Sequence, residues 1–160
     1  MLKLWTDGSA FPNPGPGGFA VILEQENGSG KPVILGREAR STNIRMEGLA
    51  IAAAIRGAKG RPCEIHTDSV FWVNVLTRWA PGWKRRGWHR EQDKKIDEEG
   101  RFVGWEKSSI KNLKIVQELY GLYRDNSVEL VWERGHVGTK YNEMADKWAK
   151  KARRGRQLNA

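Results

Sequence analysis

Short apolar segments separated by turn residues dominate the start of the chain. Residues 2–6 and 19–23 are mostly apolar, and the Asn-Pro-Gly-Pro-Gly-Gly stretch between them consists of residues that are typical of turns. A second turn sequence, Asn-Gly-Ser-Gly, precedes a third apolar run that begins at residue 32. Connections this short predict three antiparallel strands that follow one another in a meander.

Helical spacing replaces the strand pattern in the next part of the chain. Met46, Leu49, Ala50 and Ala53 recur every three to four positions, which predicts a first long helix that ends at the glycines 57 and 60. The short apolar segment at 63–67 then predicts a fourth strand.

Four further elements are predicted after the fourth strand. They are a helix capped by Ser69 and stopped by Pro81 and Gly82, a helix capped by Asn112, a strand at 128–132 and a basic helix at 142–154. This order predicts an α/β protein with a five-stranded mixed sheet, in which the antiparallel meander is joined by two further strands and helices cover both faces. Residues 91–111 show no periodicity, and we expect an extended loop or a small excursion there.

Composition and charge narrow the class of protein. The 160 residues fit one domain, which we place at 1–154, followed by a basic tail at 155–160. No apolar run is long enough to span a membrane, and an early acidic residue interrupts any secretory signal, so a cytoplasmic protein is expected. The single Cys63 agrees with a reducing compartment and suits a buried position. The net charge of +9 favours nucleic acid as the partner.

Four acidic residues provide candidate chemistry in this basic chain. Asp7 and Asp68 each lie at the end of a predicted strand and precede a small polar residue, while Glu47 and Asp146 lie in predicted helices. Taken singly, such residues are usually solvated, but strand ends in mixed sheets commonly gather into sites. Clustered carboxylates need cations, and hard oxygen ligands select Mg²⁺ or Mn²⁺. The combination predicts phosphodiester chemistry with two metal ions.

Several motifs in order resemble type 1 ribonuclease H (ribonuclease HI). They are Thr-Asp-Gly-Ser at 6–9, the glycine-rich turn at 13–19, Thr42-Asn43 with Arg45-Met46-Glu47, Thr67-Asp68-Ser69, and Gly135-His136-Val137-Gly138 with Asn142-Glu143 and Asp146. The resemblance spans nearly the whole chain. It implies the ribonuclease H-like fold and an endonuclease that hydrolyses the RNA strand of RNA–DNA hybrids, leaving 5′-phosphate and 3′-hydroxyl ends.

The resemblance also implies a catalytic role for each acidic residue. Asp7 would bridge two Mg²⁺ ions, Glu47 and Asp68 would complete the leaving-group site, and Asp146 would help to hold the ion that activates water. His136 matches a mobile histidine that assists proton transfer or product departure. Glu143 matches an auxiliary acid near the water side. The alternative interpretations, which need no resemblance, are a surface loop histidine for His136 and a surface helix residue for Glu143.

Further positions match residues that contact the hybrid in the family. The resemblance assigns RNA-strand contacts to the region of Gly8, Ser9, Asn13 and Asn43, and a DNA phosphate pocket to Arg40, Thr42 and Asn112. A basic handle at about 79–90 would grip the duplex, with contacts from Trp79, Trp83, Lys84, Arg85, Arg86 and Trp88. Ile44 and Val70 depart from the family pattern, because neither side chain can hydrogen-bond. Minor-groove recognition would therefore depend more on backbone groups.

Three other interpretations remain open from the sequence. An integrase or transposase core would share the sheet and the carboxylates but lacks the glycine-rich turn and the handle. A non-catalytic hybrid-binding module would not need four carboxylates, and a domain of a reverse transcriptase is a third alternative. The expected partner is an RNA–DNA hybrid duplex, with no membrane, no obligatory protein partner and a monomeric state.

Overall fold

A mixed five-stranded sheet forms the centre of the protein. The computed structural model describes residues 1–134 and 139–155. The chain contributes β1 (Leu2–Ala10), β2 (Gly15–Glu24), β3 (Gly30–Ser41), β4 (Cys63–Thr67), β5 (Lys94–Ile96), β6 (Phe102–Trp105) and β7 (Val128–Trp132). The central sheet has the order β3-β2-β1-β4-β7. Its first three strands pair antiparallel, and β4 and β7 are added in parallel. The predicted meander with two further strands is therefore confirmed.

Helices cover both faces of this sheet, as predicted. They are α1 (Asn43–Ala58), α2 (Val70–Asn74), α3 (Ala80–Arg85), α4 (Leu113–Asp125) and α5 (Lys140–Arg153). Neighbouring residues in a strand face opposite sides, so Leu4 belongs to the larger core with residues of α1 and α4, whereas Trp5 packs with α5. This alternation places the two cores on opposite faces of the same strands.

The helical segment that follows β4 does not stop at Pro81, contrary to the prediction. A π-helical turn, Val75–Trp79, joins α2 to α3, and the Ala80 N–H donates to the Val75 carbonyl five residues earlier. Proline inside a regular helix removes one donor, and its ring collides with the carbonyl four residues before it. The wider turn changes this spacing directly before Pro81, so the helical path continues to Arg85.

The two predicted helix caps have different outcomes. The Ser69 Oγ accepts the Trp72 N–H at 3.2 Å, which confirms it as the cap of α2. Asn112 precedes α4, but its backbone is left-handed, with φ of 57°, and its side chain makes no capping hydrogen bond. Asn112 therefore occupies the predicted cap position, where its carbonyl accepts the Val116 N–H at 2.9 Å, but the expected side-chain cap is absent. Asparagine tolerates left-handed geometry better than most residues, which explains its presence at this bend.

A small hairpin occupies the segment in which the sequence showed no periodicity. A 3₁₀ turn at Glu91–Asp93 leads into the antiparallel pair β5–β6. The Asp93 carboxylate accepts the Arg90 N–H at 2.7 Å and the Ser109 N–H at 3.3 Å, so it ties both ends of the excursion together. The strands have three and four residues, too few to produce a recognisable alternation in the sequence.

Two further expectations concern burial. Cys63 is 1% exposed in the larger core, and its burial raises the pKa of the thiol. In the part of the chain that the structure describes, no helix combines the length and the apolar character needed to cross a bilayer.

Candidate active site

Carboxylates from three separate elements meet at one end of the central sheet. Asp7 lies in β1, Glu47 lies in α1, and Asp68 follows β4 directly. One oxygen atom from each of the three lies within 4.8 Å of the others. Residues that are distant in sequence therefore form one compact set of oxygen ligands that could hold a divalent cation.

Asp146, the fourth predicted acid, borders this group from α5. Its carboxylate contacts the Lys150 ammonium at 3.0 Å, one helical turn further along. Asp146 lies outside the compact group of three, but its negative charge contributes to the raised pKa of Asp7. The structure thus brings the fourth carboxylate close enough to act electrostatically on the first.

Glycine at position 8 allows α1 to approach β1 closely. A Cβ atom on Gly8 would collide with the backbone of Met46 and Glu47. Without a side chain there, the backbone that carries Glu47 can lie directly against the strand that carries Asp7. Gly8, which the resemblance assigned to the substrate-contacting region, therefore also has a packing role that brings the acids together.

The carboxylates disfavour one another's ionisation. Burial raises the pKa of Asp7 well above its usual range, and the charges of Asp68 and Asp146 raise it further, although the Gly8 N–H opposes them. Burial also raises the pKa of Glu47 to about 7, against a hydrogen bond from Ser69. Because the pKa values are raised, the fully ionised cluster is unfavourable by itself, and a bound cation would neutralise its negative charge.

Two of the contacts around this cluster were not predicted from the sequence. Ser69 was expected only as a helix cap, but its hydroxyl also binds Glu47. Arg153 was grouped with the solvated cations at the end of the chain, but it donates to the Ser9 Oγ at 2.7 Å and lies over the Phe11 ring. The Thr-Asp-Ser motif offered a clue to the first contact, whereas the second depends on the packing of α5 and could not be anticipated.

The two asparagines assigned to RNA contact hydrogen-bond within the protein. The Asn13 side-chain oxygen accepts the Asn43 N–H at 3.2 Å, and the Asn43 side-chain oxygen accepts the Ala10 N–H at 2.7 Å. These bonds use the side-chain oxygen of each residue and leave the amide nitrogens for other partners. The arrangement joins the glycine-rich turn to the start of α1 beside Glu47.

The predicted phosphate pocket combines residues from two helix starts. Thr42 caps α1, since its Oγ1 accepts the Arg45 N–H at 3.1 Å, and the exposed Arg40 precedes it at the end of β3. Asn112 is exposed at the bend before α4, a helix that packs against α1. Ile44 and Val70, the departures from the family pattern, are 37% and 56% exposed at the starts of α1 and α2.

The cations of the handle, residues 79–90, differ from one another in their surroundings. Lys84 and Arg85 are exposed, but Arg86 donates to the His89 carbonyl at 3.1 Å and contacts Glu91 at 3.6 Å. No acidic residue lies among these cations in the sequence, and the acid that contacts Arg86 is Glu91, which directly follows the handle. Trp83 and Trp88 pack against the larger core, whereas Trp79 is 42% exposed.

A groove of about 500 Å³ separates the handle from the hairpin segment. Its wall combines aromatic rings with cations, including Trp79, Trp83, Arg86, Arg90 and Lys111. Such a surface suits the sugars and phosphates of a nucleic-acid strand.

Of the remaining two candidate residues, the structure describes Glu143 but not His136. Glu143 is exposed in the first turn of α5, where a negative charge suits the helix N-terminus. His136 lies outside the described residues.

Comparisons with known proteins agree with this architecture. The family model described as RNase H matches residues 1–154. The ribonuclease H of Acidiphilium cryptum is 36% identical over 155 residues, which cover 96% of this chain and 86% of that protein. The ribonuclease H of Bordetella pertussis is 38% identical over 161 residues, with coverage of 98% and 93%.

Solved structures with the same fold include two ribonucleases H. LC9-RNase H1, described as a type 1 enzyme with the type 2 active-site motif, superimposes with a TM-score of 0.70 at 28% identity, covering 98% of this chain and 73% of that one. LC11-RNase H1, solved in complex with an RNA/DNA hybrid, gives 0.62 at 18% identity, covering 97% and 98%, and supports the fold alone. Given the family match and the identity along nearly the whole chain, this protein belongs to the ribonuclease H family of endoribonucleases that act on RNA–DNA hybrids.

Proposed function

We propose that this chain hydrolyses the RNA strand of hybrids with the help of two divalent cations held by Asp7, Glu47, Asp68 and Asp146. The observation that carries this proposal is the convergence of the first three carboxylates to within 4.8 Å. The all-oxygen ligand set suits Mg²⁺, with Mn²⁺ as a substitute. When bound, such cations supply a nucleophilic water at neutral pH and stabilise charge on the leaving oxygen.

Each carboxylate has a distinct part in this proposal. Asp7, whose ionisation is opposed by the charges of Asp68 and Asp146, would contact both cations. Glu47 and Asp68 would complete the leaving-group side, and Asp146 would complete the water side. His136 would assist proton transfer or product departure, and the exposed Glu143 would be an auxiliary acid at the start of α5.

The substrate would lie across the surfaces on either side of these acids. Asn13 and Asn43, which already hold each other, would present their amide nitrogens to the RNA strand near Gly8 and Ser9. Arg40, Thr42 and Asn112 would hold a DNA phosphate. The handle would bind the duplex further along, with exposed Lys84 and Arg85 meeting phosphates and Trp79 packing against sugars.

A direct assay tests the substrate and the cation requirement together. End-labelled RNA–DNA hybrid, double-stranded RNA, duplex DNA and single-stranded RNA are incubated with Mg²⁺ or with a chelator. We expect cleavage of the hybrid alone, and only with the cation. Cleavage that survives chelation would contradict the proposed chemistry, and strand transfer on duplex DNA would favour the integrase or transposase alternative.

The chemistry of the product ends tests the identity of the nucleophile. Attack by water leaves a 5′-phosphate and a 3′-hydroxyl, because the bond to the 3′ oxygen breaks. Attack by the neighbouring 2′-hydroxyl would instead leave a 2′,3′-cyclic phosphate. We expect 3′-hydroxyl ends that a polymerase can extend, and cyclic ends would exclude hydrolysis by an activated water.

A further inference from the structure

Three aromatic rings come from β1 and α5, which carry Asp7 and Asp146, and from β4, which ends directly before Asp68. Trp5 of β1 stacks on His66 of β4, with ring centroids 4.0 Å apart and planes at 12°. The ring of Tyr141, in α5, lies 5.3 Å from Trp5 at 33°. Trp5 precedes Asp7 by two residues, so both face the same side of the sheet. His66 occupies the equivalent position two residues before Asp68.

The imidazole of His66 is held from both sides. Its Nδ1 lies 2.6 Å from the Glu133 carboxylate and its Nε2 lies 2.6 Å from the Glu64 carboxylate. Glu133 also donates its own N–H to the Thr67 carbonyl at 2.8 Å, directly before Asp68. Both ring nitrogens are engaged and only 7% of the residue is exposed, which restricts rotation of the imidazole.

Tyr141 is anchored at the other side of the stack. Its hydroxyl donates to the Gly28 carbonyl at 2.7 Å, and the Lys140 ammonium donates to the same oxygen at 2.6 Å. These bonds attach the start of α5 to the turn between β2 and β3. The rings therefore lie between α5 and two strands, of which β1 carries Asp7 and β4 ends directly before Asp68.

We propose that Trp5, His66 and Tyr141 are positioning residues that set the separation of Asp146 from Asp7 and Asp68. The inference rests on the proposed function, because this separation matters only if Asp146 completes a cation site. Asp146 stands outside the compact group of three carboxylates, so its distance from Asp7 depends on how α5 is seated. Mg²⁺ demands near-ideal geometry, which makes its affinity sensitive to that seating.

Cation binding without substrate provides the test. Mn²⁺ is titrated calorimetrically into the wild type, Tyr141→Leu and Tyr141→Phe, and the melting temperature of each protein is recorded. Substitution of the residues that support metal ligands typically lowers the metal affinity by about 10- to 100-fold. We expect Tyr141→Leu to weaken Mn²⁺ binding by about tenfold. Tyr141→Phe should stay close to the wild type, because it keeps the ring and because Lys140 still donates to the Gly28 carbonyl when the hydroxyl is lost.

A matched control separates positioning from general stability. Ile65→Val removes one methylene from the neighbouring buried position of β4, on the opposite face of the sheet, and typically costs about 0.5–1.5 kcal/mol. We expect it to lower the melting temperature but not the Mn²⁺ affinity. High Mn²⁺ should restore the kcat of Tyr141→Leu, with an unchanged KM for the hybrid.

Two results would count against the proposal in distinguishable ways. If the wild type binds Mn²⁺ and Tyr141→Leu binds it equally well, the stack does not position Asp146. If Ile65→Val loses as much affinity as Tyr141→Leu, the effect reflects stability alone. A wild type that binds no Mn²⁺ and cleaves no hybrid would instead contradict the proposed function itself. His66→Leu repeats the test from the other end of the stack and should match Tyr141→Leu.

Discussion

Asp7 is a buried acid whose charge is opposed by burial and by its neighbours. We expect Asp7→Asn to abolish cleavage, because in the proposed function the variant loses the carboxylate that would contact both cations. Hybrid binding should remain, since affinity comes mainly from phosphate contacts. The same change should raise the melting temperature measured in a chelator, because at neutral pH it removes a buried group whose raised pKa disfavours the folded state.

The two effects of Asp7→Asn are measured independently. Cleavage is followed on labelled hybrid at saturating Mg²⁺, and unfolding is followed by circular dichroism. Appreciable residual turnover would contradict the bridging role of Asp7. A lower melting temperature would contradict the account of charge repulsion between the carboxylates.

Gly8 makes a different prediction, which depends on space and not on charge. Gly8→Ala places a Cβ against the backbone of α1, so the helix must move away from β1. Overpacking of this kind typically costs about 1–3 kcal/mol. We expect a lower melting temperature together with reduced cleavage, because Glu47 moves away from Asp7.

Gly121 supplies the control for this substitution. It lies in α4, where a Cβ atom would have open space around it, so Gly121→Ala should stabilise the helix by about 0.5–1 kcal/mol. Its activity should equal that of the wild type. If both variants behaved alike in thermal melts and in cleavage assays, the close approach at Gly8 would have no special importance.

The sequence could predict the three carboxylates that the structure brings together, but not the contacts that arrange them. Asp7, Glu47 and Asp68 follow from motifs that are local in the chain. The dependence of their spacing on Gly8, and the stack of Trp5 on His66, come from strands and helices that are far apart in sequence. Such contacts form only when the complete fold packs together, so no local sequence pattern predicts them.

At the scale of elements, the hairpin β5–β6 depends on one carboxylate. Burial opposes the ionisation of Asp93, but hydrogen bonds from Arg90 and Ser109 prevail and hold its pKa below the usual 3.8. An acid whose folded pKa is lowered stabilises the fold above its unfolded pKa and loses that contribution as the pH falls through the folded value. The base of the hairpin should therefore loosen in acid, below about pH 4.

Hydrogen exchange measures this loosening residue by residue. We expect Asp93→Asn to raise the exchange rate of the Arg90 and Ser109 amides at neutral pH, because a neutral amide is a weaker acceptor for both. Asp97→Asn is the matched control, since Asp97 holds only the turn between β5 and β6. Unchanged exchange at Arg90 in Asp93→Asn would show that other contacts hold the hairpin.

Long elements were predictable, whereas exceptions within them were not. The strands β1, β2 and β3 and the helix α1 have 9, 10, 12 and 16 residues, enough for an apolar pattern to be clear, and β4 and β7 have five residues each. The π turn before Pro81 and the left-handed Asn112 each depend on a single backbone adjustment. The hairpin β5–β6 was missed because strands of three and four residues show too little alternation to detect.

At the scale of the whole molecule, we expect the position of the positive charges to affect hybrid binding more than their total. The net charge of +9 includes exposed cations of the handle and others near the end of α5. If the handle binds the hybrid, its cations displace counterions from phosphates, and each lost contact lowers the salt slope of log K by roughly 0.7–0.9. Replacing Lys84 and Arg85 with Ala should therefore raise KM and flatten its salt dependence.

A second pair of substitutions changes the net charge equally at a different place. Lys151→Ala with Arg154→Ala removes two positive charges from the total of +9, as the handle pair does, but acts near the end of α5. Lys151 lies over the Trp148 ring. Arg86 is not substituted in either variant, because it already contacts Glu91. We expect the α5 double variant to keep the wild-type salt slope, because cations at a helix C-terminus interact with the helix dipole and not with the hybrid. Equal changes in KM for the two pairs would mean that net charge attracts the hybrid. If KM and its salt dependence changed only in the α5 pair, the duplex would bind at the face of the sheet that α5 covers and not at the handle.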